Sequence, residues 1–316
     1  MNRLRSILLA LLGLVIAGAA VFYLLTEPAL YRLVRGEQSV AGDHVANLEN
    51  GRLLFNAGGC SSCHATPDQD DRTRLGGGLA LKSPFGTFHV PNISPHPRDG
   101  IGGWSVTDFV RAMREGTAPD GKHLYPSFPY TSYQRMRTTD IADLFAYLKS
   151  LTPVEGRVRD HELSFPYNIR RGLGLWKLAF LDGNVFRPDP NRDEPWNRGA
   201  YLVEGPGHCA ECHSPRNALG AIISERRFAG AREPDGKDWV PNITPHPTGT
   251  GGWTLEDFEV LLKTGDTPNF VDVGGLMRAV VRNTAALPES DRTAMGEYLL
   301  TLPPREGRPP AATNSE

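Results

Sequence analysis

Cysteine occurs at four positions in the 316-residue chain, and all four fall in two copies of one pattern: Cys60-Ser61-Ser62-Cys63-His64 and Cys209-Ala210-Glu211-Cys212-His213. C-x-x-C-H is the spacing at which c-type haem is attached. Two thiols add to the porphyrin vinyl groups, and the histidine that follows ligates iron from one face. Other chemistries of paired cysteines fit less well. A zinc ribbon brings its two C-x-x-C units together across a short spacer, whereas these lie 149 residues apart (209 − 60). A redox dithiol of the thioredoxin kind sits between a strand and a helix, but Cys60 follows the helix-like run from Gly51 to Ala57. No cysteine is left over for a disulfide. The pattern therefore predicts two covalently bound haem c groups, attached at Cys60, Cys63, Cys209 and Cys212, with His64 and His213 as iron ligands.

The opposite axial position decides what such a site can do. A methionine there raises the potential and closes the iron to small molecules, while an empty position admits them. Five methionines are present. Met1 begins the chain, and Met113 and Met295 fall inside helical patterns as core residues. Met277, in a Gly-Gly-Leu-Met loop well after His213 and ahead of the last helix, is the expected ligand of haem 2. Met136, just before the last helix of the first half, is the expected ligand of haem 1. The nearest counterpart of Met277 in the first half is Tyr125-Pro126-Ser127-Phe128, where phenylalanine cannot ligate. Alternatives are His96 with His246 as second histidine ligands, or His123 on haem 1. Asn92 and Asn242 suit hydrogen bonding near a haem propionate. His44, His89, His161 and His208 have no counterparts and read as surface or loop residues.

The elements that must position these groups come as a repeat. Val90-Pro-Asn-Ile-Ser-Pro-His-Pro97 matches Val240-Pro-Asn-Ile-Thr-Pro-His-Pro247, and Gly102-Gly103-Trp104 matches Gly251-Gly252-Trp253, at a nearly constant offset. A repeat of that length means two copies of one domain. Each copy predicts a helix leading into the motif, Asn50 to Gly58 and Trp196 to Gly205. A second helix is capped by Ser105 or Thr254, with Asp108 or Asp257 following in the first turn, and stops at Gly116 or Gly265. A last helix runs from Thr139 to Leu151, with Ile141, Leu144, Phe145 and Leu148 on one face. No sustained strand alternation occurs, so the predicted fold is all-α. The domains are 43–155 and 196–305, joined by a linker, 156–195, that holds the apolar run Leu173 to Leu181. Residues 306–316 form a flexible tail.

Residues 1–27 begin with Arg3 and Arg5, followed by an apolar stretch from Ile7 to Leu25. That stretch is long enough to span a bilayer, and it continues past the small residues at which a signal peptide would be cut. A retained anchor is favoured over a cleaved signal, with the N-terminus cytoplasmic and the rest periplasmic. Net charge is −2, so nothing points to nucleic acid.

The stretches Gly121 to Tyr133, Trp196 to Cys209 and His213 to Asn217 resemble the cytochrome c subunits of membrane-bound bacterial dehydrogenases, of the alcohol, gluconate and molybdenum-hydroxylase types. The resemblance covers residues 43–305. It implies tandem class I cytochrome c folds in the bacterial inner membrane, a periplasmic dehydrogenase catalytic subunit as partner, and a downstream acceptor such as quinone, another cytochrome or an oxidase. Single-electron transfer without substrate chemistry is the expected function. The alternative is a dihaem enzyme, peroxidase-like or sulfur-oxidising, with one open haem site.

Overall fold

The computed structural model describes residues 2–36, 43–233, 238–269 and 272–308. Helix α1 (Asn2–Leu25) is the one described helix long and apolar enough to cross a membrane, and its residues from Arg3 to Leu25 all lie outside the packed interior. The chain turns at Thr26, whose hydroxyl bonds back to Phe22 O at 2.7 Å. Pro28 then opens α2 (Pro28–Arg35), since a proline at a helix start loses no hydrogen bond there.

The first copy contains α3 (Leu48–Ala57), α4 (Cys60–His64), α5 (Val106–Glu115), α6 (Tyr130–Tyr133) and α7 (Thr138–Ser150). The linker holds α8 (Leu173–Phe180). The second copy contains α9 (Glu194–Glu204), α10 (Cys209–His213), α11 (Leu255–Thr264), α12 (Met277–Thr284) and α13 (Glu289–Leu300). The capping boxes expected at Ser105/Asp108 and Thr254/Asp257 are both formed, and Gly116 and Gly265 end their helices in the left-handed conformation.

Two hydrophobic cores follow the repeat. In the first, α3 crosses α7, with Leu54, Ile141, Leu144 and Leu148 buried between them. In the second, α9 crosses α13, around Leu202, Val203, Phe258 and Leu299. The crossings are close because Gly51 and Gly199 sit at them: a methyl group at either would overlap the backbone of Asp143 or Ala294.

The fold is mostly helical, but not wholly α. Strands β1 (Ala80–Ser83) and β2 (Gly86–His89) form an antiparallel hairpin joined at its edge by β3 (Glu162–Leu163), and β4 (Ala231–Arg232) pairs with β5 (Trp239–Val240). These strands are too short to show alternation in the sequence.

The linker packs against the first copy. A third cluster joins Tyr31 of α2, Tyr130 and Leu181, flanked by Trp176 and Leu178. Lys177, in the middle of the apolar run, is wholly buried. Its ammonium bonds to Glu115 O at 2.7 Å, Gly116 O at 3.3 Å and Thr117 Oγ1 at 2.9 Å. The part of the expected tail beyond residue 308 lies outside the described residues.

Candidate haem centres

Each C-x-x-C-H forms one short helix, so both thiols and the imidazole are presented from a single turn. Gly59 at φ +56° and His208 at φ +40° make the sharp entry into these helices. The histidines are oriented the same way in both copies. His64 Nδ1 donates to Pro91 O at 2.8 Å, and His213 Nδ1 donates to Pro241 O at 2.8 Å. A carbonyl on Nδ1 fixes the tautomer that leaves Nε2 free for a metal. Burial holds both imidazoles neutral, pushing His64 down to about 4 and His213 below its usual range. The first role of the Val-Pro-Asn-Ile element is thus to carry the carbonyl that orients the ligand, a role its spacing alone did not reveal.

The element is itself pinned. Asn92 Nδ2 donates to Val154 O at 2.8 Å and Gly156 O at 3.1 Å, and its Oδ1 accepts from Ser94 N. Asn242 does the same with Arg305 O and Thr244 N. Both amides therefore tie the loop to the chain leaving the last helix. Below the loop, Gly77 N donates to His64 O at 2.9 Å and Gly230 N to His213 O at 2.8 Å.

The four cysteines form no disulfide with one another. Burial pushes Cys60 and Cys209 up to about 12 and Cys212 up to about 11, and raises Cys63. Among the described residues, no cluster of three or more His, Cys, Asp or Glu side chains is placed to hold a metal ion.

The two motifs are braced against each other by the residues between their cysteines. Asn283 of α12 donates to Ser62 Oγ at 2.7 Å and accepts from Ser61 Oγ at 3.2 Å. In return, Glu211 accepts from Thr131 Oγ1 at 2.5 Å and Ser132 Oγ at 2.8 Å, at α6. His208 Nε2 donates to Gly58 O at 3.2 Å, and its ring meets Tyr133 edge-on at 5.7 Å. Burial pushes the Glu211 carboxyl up, but Arg216 and the two hydroxyls outweigh it and hold it below the usual range. Each motif thus grips the other copy's segment ahead of the last helix, in an approximately two-fold arrangement.

The remaining candidates have definite places. Met277 is half-buried as the first residue of α12, not in a loop. Met136 is wholly buried in the first core, in the turn before α7. Leu287 holds the same place in the second core, in the turn before α13: Met136 N bonds to Tyr133 O and Leu287 N to Thr284 O. Phe128 packs partly buried, with its ring 5.4 Å from Tyr133. His123 is buried and directs Nε2 to Thr26 O at 2.7 Å. His96 and His246 accept from backbone N–H groups of their own turns. His89 is buried, and His44 bonds to Asp143 at 2.8 Å, so neither is a plain surface residue.

Residues 48–152 match the cytochrome c family. Over 305 residues the chain is 44% identical to a dihaem cytochrome c-type protein of Cereibacter sphaeroides, covering 95% of this chain and 98% of that one. It is 41% identical over 266 residues to a nicotinate dehydrogenase subunit of Pseudomonas putida, and 36% identical over 271 residues to the fructose dehydrogenase cytochrome subunit of Gluconobacter japonicus. Both alignments take in 84% of this chain, but it spans only 22% and 55% of those two longer proteins. The chain belongs to the dihaem c-type cytochromes and carries covalently bound haem c.

Proposed function

We propose that the protein accepts single electrons from a dehydrogenase catalytic subunit on the periplasmic side of the bacterial inner membrane and delivers them to a downstream acceptor, with no substrate chemistry of its own. Covalently held haem supplies a one-electron iron couple. Two tandem cytochrome c domains, 43–155 and 196–305, hold the two groups at Cys60/Cys63 and Cys209/Cys212, with His64 and His213 as proximal ligands. Helix α1 is read as a retained anchor with its N-terminus cytoplasmic.

The observation that carries this reading is the reciprocal brace between the motifs. Asn283 on Ser61 and Ser62, and Glu211 on Thr131 and Ser132, tie the two sites together through hydrogen bonds, one buried and three partly buried. A fixed separation with little to reorganise suits electron passage between two centres. Dehydrogenase partnership is supported by the names of the relatives.

We assign Met277 as the distal ligand of haem 2. For haem 1, Met136 is the methionine the sequence offers, yet it stands where the second copy uses Leu287 for packing. That equivalence favours a second reading, in which Met136 packs the core and haem 1 lacks a sulfur ligand.

The function is tested by isolating the full chain with its partners from bacterial membranes and adding the substrate of the dehydrogenase that accompanies it. Reduction of both haems supports the proposal. Failure of either haem to take electrons while the dehydrogenase is active rejects it.

A further inference from the structure

We infer that the linker, with the exit of α1, forms a surface that lies in the headgroup layer of the bilayer. The linker is fastened to the end of α1. Arg171 donates to Tyr23 O at 2.9 Å and to Glu27 Oε2 at 2.8 Å, and its guanidinium lies 3.7 Å from the Tyr23 ring centroid. Gly174 lies so close to Thr26 that a Cβ there would come within 2.6 Å of the Thr26 Cα. Arg170 donates to His123 O, and His123 in turn holds Thr26 O. Residues 169–175 therefore sit where α1 leaves its apolar run.

Around that junction the linker presents large apolar side chains outward. Phe165 is 79% exposed, Ile169 48%, Leu175 41% and Tyr167 40%. Tyr167 is held to the same cluster, because its carbonyl accepts from Tyr125 OH at 3.0 Å and Arg170 stacks on the Tyr125 ring at 4.5 Å. Apolar and aromatic side chains beside arginines, next to the end of a membrane span, match the composition of the water–lipid interface. Continuity with α1 is what selects lipid over a protein partner as the occupant.

The inference rests on α1 being retained as an anchor, and the test separates the two. Phe165→Cys, Ile169→Cys and Leu175→Cys, each in the full chain, place a single free thiol, because the native cysteines are consumed by haem. Nitroxide labels there are compared with one at Val260→Cys on α11, in liposomes of phosphatidylethanolamine and phosphatidylglycerol, with the haems oxidised and each label referred to its own relaxation rate without added agent. Haem content confirms that each protein is folded. Relaxation of the three linker labels by oxygen over a water-soluble nickel chelate, with the reverse at position 260, is the expected result. Relaxation by nickel at the linker positions overturns the surface, and so does protection from both agents, which means protein cover. Intact mass reports α1 independently. If residues 1–25 are missing, the anchor reading fails whatever the labels show.

Discussion

The Asn283 side-chain amide, in the second copy, bridges the two serines inside the first C-x-x-C-H, donating to Ser62 Oγ at 2.7 Å. Removing one partner of a buried hydrogen bond costs about 1–3 kcal/mol. Asn283→Leu should therefore lower the unfolding free energy of the holoprotein by that order. Combined with Glu211→Leu, which removes the reciprocal contact, it should split one calorimetric transition into two as the copies unfold separately. A single unshifted transition in the double variant would show that the brace contributes nothing.

The glycine under each ligand loop makes a sharper test of the sites. Gly77 has φ +68°, and a Cβ there would sit 2.5 Å from Pro91 C and O, the group that orients His64. Gly77→Ala must strain the backbone or displace that carbonyl, at about 1–3 kcal/mol. The expected outcome is loss of haem from site 1 alone, with the haem-to-protein ratio falling from two towards one. Gly230→Ala, with φ +82°, should do the same at site 2. Retention of two haems in both variants would detach these loops from ligand positioning.

On the reading in which Met136 only packs the core, the near-infrared sulfur-to-iron band should count one per molecule, and Met277→Leu should abolish it. Met136→Leu, a swap of similar volume in a packed core, should leave the band intact and cost under about 1.5 kcal/mol. Two bands in the wild type, one of them lost in Met136→Leu, would restore Met136 as the ligand of haem 1.

Lys177 gives the fold a pH signature. Burial pushes its ammonium down to about 7; Glu115 opposes that and Arg32 adds to it. The groups facing it are Tyr31 and Arg32 from α2 and Glu115 from α5, whose own carboxyl burial raises. A lysine whose folded pKa lies below its unfolded value is a weaker base when folded. Its contribution is therefore complete above about pH 10.5 and is lost as pH falls through 7. Stability should drop by about 2 kcal/mol from pH 9 to pH 7 through this group. Denaturant midpoints of wild type and Lys177→Met at both pH values would show it, the variant giving the flatter profile. Parallel profiles would contradict the assignment.

What the sequence disclosed and what it concealed have physical reasons. The motifs, both capping boxes and the glycine stops are local, carried by side chains close in sequence to the groups they serve. The Asn283 bridge spans 221 residues to Ser62, and nothing near either residue announces it. His123 resembled a ligand candidate until its partner, Thr26 O, was placed 97 residues away. Strand β3 exists only because Glu162 and Leu163 meet the hairpin edge at Thr87 and Gly86. Lys177 lay hidden in an apolar run, since its three acceptors come from the end of α5 and the turn beyond it.

The grip of His123 and Arg171 on Thr26, Tyr23 and Glu27 leaves no slack between α1 and the first copy. A cytochrome on a loose leash could swing out to meet its donor and then its acceptor in turn. With α1 kept as a membrane anchor, as proposed, this neck would set the height and bearing of the centres, and every exchange would depend on partners that come to them.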